Sequence, residues 1–193
     1  MKRLTEKSSK EELDTAWGLV NDYGEAASKA HEVQRAFKKG AKVVYRRVNT
    51  PEKLQALYII IQNKRQVMYM PILIVEGSEG RSFVARESTG QKEEFLTILH
   101  SHAVNRYIER HGWDGDIIDA ENHILDNMWV SARNVDKYTK ELTVYFDDGM
   151  FLGAEKDGIC HLNTYIANKQ MYSNQRLLSR RLQDNIEELF KKL

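Results

Sequence analysis

The residues best suited to chemistry lie in one short segment, from Ser101 to Gly112. At about 100° per residue, a helix over this segment separates a polar face from an apolar one. The polar face carries His102, Arg106, Glu109 and Arg110, and the apolar face carries Ala103, Val104, Tyr107 and Ile108. A histidine and two arginines in register predict a site for a phosphate or another anion. The alternative is a surface helix with solvated charges and an Arg–Glu pair.

The elements around this segment must position it. Ser101 is a suitable N-cap and Gly112 a suitable C′ residue, so both helix ends are predicted. A strand over 95–99 leads into the helix, and a second helix is expected over about 117–128 with Ile117, Ala120, Ile124 and Met128 facing inward. Four strands are then expected at about 129–134, 141–147, 150–154 and 159–166, before a closing helix over 173–192. This order predicts an α+β fold, with helices packed on one side of an antiparallel sheet.

In this order of elements, His102 is followed by Arg106 and Arg110, and a late strand carries Thr164-Tyr165-Ile166. The arrangement resembles the superfamily of small ribonucleases and toxins that includes barnase, EndoU, colicin ribonucleases and RelE, in its phage or RelE-like branch. The resemblance covers about residues 95–170. It implies a metal-independent domain of phage or bacterial toxin type that cleaves or binds RNA.

The resemblance also implies roles for individual residues. His102 would act as the base that deprotonates a 2′-hydroxyl, since histidine is the residue type whose ordinary pKa lies near neutrality. Arg106 and Arg110 would stabilise the phosphorane, and Thr164 would donate a hydroxyl to phosphate. Two residues are expected to bind substrate: Tyr165, by stacking on a base or supplying a proton, and Asn163.

Each of these roles has a structural alternative. Thr164 and Tyr165 are residue types that strands favour for packing alone. His102 also fits a helix-start histidine satisfied by backbone groups, and Glu109 is placed to neutralise one arginine. The sequence His100-Ser101-His102 invites a metal interpretation, but no His-Glu-x-x-His spacing accompanies it. We therefore expect no metal and no cofactor.

The amino-terminal half resembles no family. A long helix capped by Ser8 or Ser9 is expected to run to about Lys39 on a narrow apolar seam, and a strand over 42–48 follows it. Thr50-Pro51-Glu52 is typical of a helix start, and it predicts a helix through about Ile61. A hairpin of strands over 67–75 and 81–86 precedes a polar loop at 88–92. The predicted domains are therefore an amino-terminal helix with a small α/β region over 1–90 and a ribonuclease-toxin-like domain over 91–193.

Composition limits the classes of function. The chain has 193 residues, 41% hydrophobic and 30% charged, with one cysteine and a net charge of +1. No apolar run is long enough for a transmembrane helix and no signal peptide is evident, so a cytoplasmic protein is expected. A nearly neutral chain must hold RNA through a local cluster of cations. The alternative function is a non-catalytic protein-interaction module, with a protein partner or self-association through the amino-terminal helix.

Overall fold

The computed structural model describes residues 3–63, 66–88, 94–128, 132–135, 138–146 and 148–177, and it confirms the α+β class. The chain divides into two compact units. The first comprises Met1–Gly77 with Arg81–Ile98, and the second comprises Ser78–Gly80 with Leu99–Leu193. These units divide the chain at places other than the predicted domains 1–90 and 91–193, which stay a prediction.

The first unit contains two helices and five strands. They are α1 (Lys10–Ser28), α2 (His31–Lys38), β1 (Val43–Asn49), β2 (Gln55–Gln62), β3 (Val67–Gly77), β4 (Gly80–Ser88) and β5 (Glu94–Leu99). The strands lie side by side in chain order, and β2 pairs antiparallel with both β1 and β3. Thr5 makes an isolated parallel bridge to Glu76, so the pairing is mixed, in contrast to the predicted antiparallel sheet.

Helix α1 is part of the core of this unit. Ser9 and Glu12 form a capping box at its start, which satisfies two backbone N–H groups that the helix leaves unpaired. Its buried face packs on β2 and β3, and the buried residues follow spacings of three and four: Leu13, Ala16, Val20, Gly24 and Ala27. The Tyr58 hydroxyl of β2 donates a hydrogen bond of 2.6 Å to the carbonyl of Val20. Of the residues predicted to form the apolar seam, Leu13, Val20 and Ala27 are buried on this face.

The prediction of one continuous helix from Ser8 or Ser9 to about Lys39 was wrong, because the helix breaks after Ser28. Ala30 adopts an extended conformation, with φ −59° and ψ 144°, and starts α2. The Gln34 amide donates to the carbonyl of Ser28 at 2.9 Å. This bond satisfies an acceptor that a continuous helix would have paired within itself. The break lets Val33 and Phe37 bury separately from the α1 seam.

The predicted helix over 50–61 was also wrong, because this segment forms a turn and then strand β2. The Thr50 N–H donates to the Leu54 carbonyl at 2.8 Å, and Lys53 takes the left-handed conformation with φ 63°. Residues 56–60 are all buried. A short apolar run buried on both sides fits a helical spacing by coincidence, and its β-branched residues favour the strand.

The second unit contains two helices followed by four strands. They are α3 (Ser101–His111), α4 (Ile117–Met128), β6 (Ala132–Val135), β7 (Glu141–Phe146), β8 (Gly149–Lys156) and β9 (Ile159–Ala167). The strands pair antiparallel in the order β9-β8-β7-β6. Helix α3 packs on β9, and α4 packs on α3 and β7.

Some of the elements predicted for this half lie outside the described residues, and one inward-facing residue was predicted wrongly. Residues 173–177 are helical, and the rest of the predicted closing helix lies outside the described residues, as does most of the loop predicted at 88–92. Ile117 was expected to face inward but is 49% exposed, whereas Ala120, Ile124 and Met128 are buried. Among the helices in the described part of the chain, none is both long and apolar enough to cross a membrane.

Candidate functional site

Helix α3 forms at the predicted position and fixes the candidate site. Ala103, Val104 and Tyr107 are buried, which matches the predicted apolar face, and Gly112 ends the helix with φ 77°. The predicted cap at Ser101 was wrong. His100 occupies the N-cap position, and the buried Ser101 hydroxyl accepts a 3.0 Å hydrogen bond from the N–H of Glu79. The serine therefore ties the β3–β4 turn to the start of the helix.

The turn places a carboxylate beside the candidate base. Glu79 Oε1 lies 2.8 Å from His102 Nδ1, and the Asn105 amide donates to Glu79 Oε2 at 3.2 Å. The hydrogen bond to His102, followed by that to Asn105, holds the pKa of Glu79 below its usual value. Because an ionised carboxylate only accepts hydrogen bonds, His102 carries its proton on Nδ1. The imidazole is thus oriented with Nε2 as its acceptor.

Arg106 lies on the other side of the same imidazole. Its Nε is 3.4 Å from His102 Nε2, and its Nη1 is 2.7 Å from Glu109 Oε2. The side chains of His102 and Arg106 are 42% and 37% exposed. The prediction that Arg106 lies within reach of His102 on an exposed face is confirmed. The expected pairing of an arginine with Glu109 is also present.

Arg110 is directed toward the sheet. Its guanidinium donates to the backbone carbonyl of Tyr165 on β9. The strand that Arg110 contacts carries the other predicted residues, with Asn163 exposed and Thr164 half-buried. The structure therefore joins His102 directly to Arg106, and it joins Arg110 to β9.

Tyr165 corrects the predicted substrate contact. Its side chain has no solvent exposure, and its hydroxyl donates to the Asp148 carbonyl at 2.9 Å. Burial, and then the charge of Asp148, raise its pKa well above the ordinary value. The ring packs edge-on against Tyr107, with the centroids 4.9 Å apart. Tyr165 therefore belongs to the core in this conformation, where it cannot stack on a base.

A β-bulge explains this burial. Leu152 pairs with Thr164 and Gly153 pairs with Leu162, so Asn163 is the extra residue on β9. The bulge changes the alternation of the strand, and Leu162 and Tyr165 are both buried although they are three residues apart. Strict alternation from the sequence would have placed Asn163 and Tyr165 on one face. A Cβ at Gly153 would lie 1.7 Å from the His161 carbonyl oxygen, so glycine permits this close approach.

A second histidine–carboxylate pair lies at the other end of α3, and the sequence analysis missed it. His111 Nδ1 is 2.6 Å from Asp148 Oδ2, and the Tyr107 hydroxyl donates to the same oxygen at 3.3 Å. The imidazole stacks on the Tyr107 ring, with centroids 5.0 Å apart and planes 10° apart. In the sequence, Asp148-Gly149 is a dipeptide typical of a hairpin turn, and it indicates no contact with a histidine.

A third contact pairs two imidazoles. His100 Nε2 lies 2.9 Å from His161 Nδ1, with the rings stacked at 5.2 Å. At this distance one nitrogen must donate and the other accept. Within the described residues, no group of three or more histidine, cysteine, aspartate or glutamate side chains is arranged to hold a metal ion.

Comparison with protein-family models, with curated proteins and with solved structures found no match for this chain. The resemblance to small ribonucleases and toxins therefore stays a prediction. The geometry of α3 must be judged on its own chemistry.

Proposed function

We propose that the second unit is a metal-independent endoribonuclease of phage or bacterial toxin type, with His102 as its general base. The observation that carries the proposal is the placement of the His102 imidazole between Glu79, at 2.8 Å, and Arg106, at 3.4 Å. A carboxylate that fixes the tautomer leaves the opposite ring nitrogen as the proton acceptor, and a neighbouring arginine can donate to phosphoryl oxygens as their negative charge grows.

In the proposed reaction, His102 Nε2 removes the proton from a ribose 2′-hydroxyl. The 2′-oxygen attacks phosphorus, and the bond to the 5′-oxygen breaks, with that oxygen receiving a proton from solvent or from the imidazolium. Arg106 donates to the phosphoryl oxygens, whose negative charge grows in the transition state. Substrate binding must therefore exchange the contacts of Arg106 with His102 and Glu109 for contacts with phosphate.

The remaining predicted residues take narrower roles in this proposal. Asn163 and Thr164 lie on the bulged strand β9 and would contact phosphate or ribose; the exposure of Asn163 supports this role. Arg110 is a positioning residue, since its hydrogen bond to the Tyr165 carbonyl ties α3 to that strand. Helices packed on one side of the sheet would leave the polar face of α3 open to RNA.

The test is cleavage of a mixed RNA pool in the presence of EDTA. His102→Ala removes the base and should lower the rate by about a hundredfold to ten-thousandfold. Arg106→Lys keeps the charge and loses the planar fork, so it should also impair the rate. His31→Ala is the matched control, because His31 is an exposed histidine of α2 in the first unit. It should cleave like the wild type.

Three results would contradict the proposal. Cleavage that disappears with EDTA would indicate a metal-dependent reaction. Equal rates for the wild type and His102→Ala would mean that another group is the base, with His100 or His161 next to be tested. No cleavage at all would favour the second candidate.

The second candidate function is a non-catalytic protein-interaction module. Its support is that Arg106 pairs with Glu109 and Arg110 pairs with a backbone carbonyl. An arginine that already makes these contacts must lose them before it can bind phosphate, which lowers the free energy gained on binding RNA. For this candidate, the wild type would neither cleave nor retain RNA, and it would bind a protein partner.

A further inference from the structure

An aromatic cluster at the carboxyl end of α3 has no role in the proposed reaction. Three of its rings lie nearly parallel: the planes of Phe151 and Tyr107 differ by 16°, and those of Tyr107 and His111 by 10°. Phe151 and Tyr107 have no solvent exposure, whereas the His111 side chain is 34% exposed. The set of rings therefore extends from the core to the surface, and His111 is its outermost member.

Asp148 holds this outermost ring in place. His111 Nδ1 lies 2.6 Å from Asp148 Oδ2, which also accepts a hydrogen bond from the Tyr107 hydroxyl at 3.3 Å. The Asp148 carbonyl accepts hydrogen bonds from the Tyr165 hydroxyl at 2.9 Å and from the Asn168 N–H at 2.8 Å. A carboxylate anchored in this way fixes the orientation of the imidazole. A side chain that is already ordered loses little conformational entropy when a ligand binds to it.

Two further rings lie beside His111. The half-buried Trp113 follows the end of α3, and its ring centroid is 5.8 Å from that of His111. The exposed His123 of α4 lies 5.3 Å from Trp113. The planes in these two contacts are tilted by 38° and 37°, so neither contact is a parallel stack. The indole and the second imidazole therefore form a tilted wall beside the exposed His111 ring.

The charges of this part of the chain disfavour an anion. Residues 111–128 include no lysine and no arginine, and four of their aspartates are exposed: Asp114, Asp116, Asp119 and Asp126. Carboxylates repel a phosphate group. A ligand of this cluster must therefore be recognised by its ring and by hydrogen bonds at its edge.

We propose that the cluster of His111, Trp113 and His123 binds a nucleobase, stacked on the outermost ring. Bases stack on histidine and tryptophan rings, and their edges carry hydrogen-bond donors and acceptors that a phenyl ring lacks. With its Nδ1 directed at Asp148, His111 offers Nε2 to such an edge.

This site is independent of RNA cleavage at His102. His111 follows His102 by nine residues, or two and a half helical turns, so the two histidines lie on opposite sides of α3. The base can belong to a free nucleoside or nucleotide or to a single strand of RNA, since all three present the same ring.

The experiment titrates the full-length protein with adenosine and guanosine. Binding is followed by the NMR signals of the His111 imidazole and the Trp113 indole, at low and at high salt. Parallel titrations use a trinucleotide, ribose 5-phosphate as a sugar phosphate without a base, and N-acetylphenylalaninamide as a ring without a polar edge. The variant is His111→Ala. His31→Ala is the matched control, because His31 is an exposed histidine of α2 in the first unit.

The expected result is saturable binding of the nucleosides by the wild type and His31→Ala, with little dependence on salt because no phosphate is held. Loss of the stacking ring in His111→Ala should weaken binding roughly fivefold to a hundredfold. Tighter binding of the trinucleotide would identify single-stranded RNA as the source of the base, and equal binding would identify a free nucleoside or nucleotide.

The proposal is overturned if ribose 5-phosphate or N-acetylphenylalaninamide binds as well as the nucleosides. Equal binding by the wild type and His111→Ala also overturns it. If His111→Ala does not fold, the wild-type signals decide, and His111 and Trp113 signals that do not respond to the nucleosides overturn it.

Discussion

Glu79 is the residue that gives His102 a defined orientation. It is located 23 positions earlier in the chain, in the turn between β3 and β4, and it accepts hydrogen bonds from both His102 and Asn105. A histidine in solvent samples both tautomers, whereas this one is held with its proton toward the carboxylate. Glu79 is therefore a positioning residue for the proposed base.

The lowered pKa of Glu79 gives a direct test of this contact. Its largest cause is the hydrogen bond to His102, followed by that to Asn105. His102→Ala should therefore raise the pKa of Glu79 toward the ordinary value, and Asn105→Ala should raise it less. Carbon-detected NMR titration of the Glu79 carboxyl measures both shifts. A pKa unchanged in His102→Ala would contradict the contact.

The lowered pKa of Glu79 also determines how this carboxyl affects the stability of the fold as the pH changes. A carboxyl whose pKa is lower in the folded protein stabilises the fold above its unfolded pKa. That contribution is lost as the pH falls through the lowered value. The contact between Glu79 and His102 should therefore be intact at neutral pH and weaken only in acid, below the ordinary pKa of a glutamate.

The sequence was informative about residues whose neighbours are local. Arg106 lies one helical turn after His102, and this spacing alone predicted their contact. Glu79 and Asp148 were missed because their histidine partners are distant in sequence, and no periodic pattern relates a turn residue to a helix. Tyr165 was predicted to contact substrate, but the β-bulge at Asn163 changes the face of the sheet on which the following residues lie. The sequence pattern does not reveal that β9 contains this extra residue.

The packing of α1 on the sheet depends on a glycine. A Cβ at Gly24 would lie 2.1 Å from the Tyr69 ring, whereas a Cβ at Gly18 of the same helix would meet nothing within 4 Å. Both glycines carry the same cost of backbone entropy in a helix, about 0.5–1 kcal/mol relative to alanine. The two positions differ in the space that is available for a side chain.

The two alanine variants should therefore have opposite effects. Gly18→Ala should stabilise the protein by about 0.5–1 kcal/mol. Gly24→Ala should destabilise it, because displacing the Tyr69 ring costs about 1–3 kcal/mol, which outweighs the gain in propensity. Urea denaturation measures both. Equal stabilisation by the two substitutions would show that the ring moves away without cost.

Whole elements were predictable where length and periodicity agreed. Helices α3 and α4 and most strands form near their expected positions, since eleven or twelve periodic residues leave few alternatives. Strand β2 was predicted as a helix because its eight residues are mostly buried, so their hydrophobicity does not alternate with the period of two that marks a half-exposed strand. The break at Ala30 was missed because no proline or glycine marks it.

For the protein as a whole, α1 is an integral part of the first unit. Leu13, Val20 and Ala27 have no solvent exposure, and Tyr58 of β2 donates its hydroxyl hydrogen bond to α1. A helix that rests on the protein by a narrow apolar seam alone could be removed without loss of the rest. The structure gives the opposite expectation, since removal would expose the apolar surface of β2 and β3 to water.

Deletion of residues 1–39 should therefore give an insoluble or unfolded protein. The measurement is the soluble fraction after expression, with the far-ultraviolet circular dichroism of any soluble material compared with that of the full chain. A soluble, cooperatively melting product would show that β2 and β3 fold without α1. It would also support a role for this helix in binding a protein partner or in self-association.

The second compact unit takes three residues, Ser78–Gly80, from the tip of a hairpin whose strands lie in the first. Glu79, which orients His102, is one of these three. A gene segment encoding only residues 91–193 would carry His102, Arg106 and Arg110 into a new protein and leave behind Glu79, the carboxylate that orients His102. The candidate site is therefore not a transferable module: recombination could exchange it between proteins only together with the hairpin that supplies Glu79.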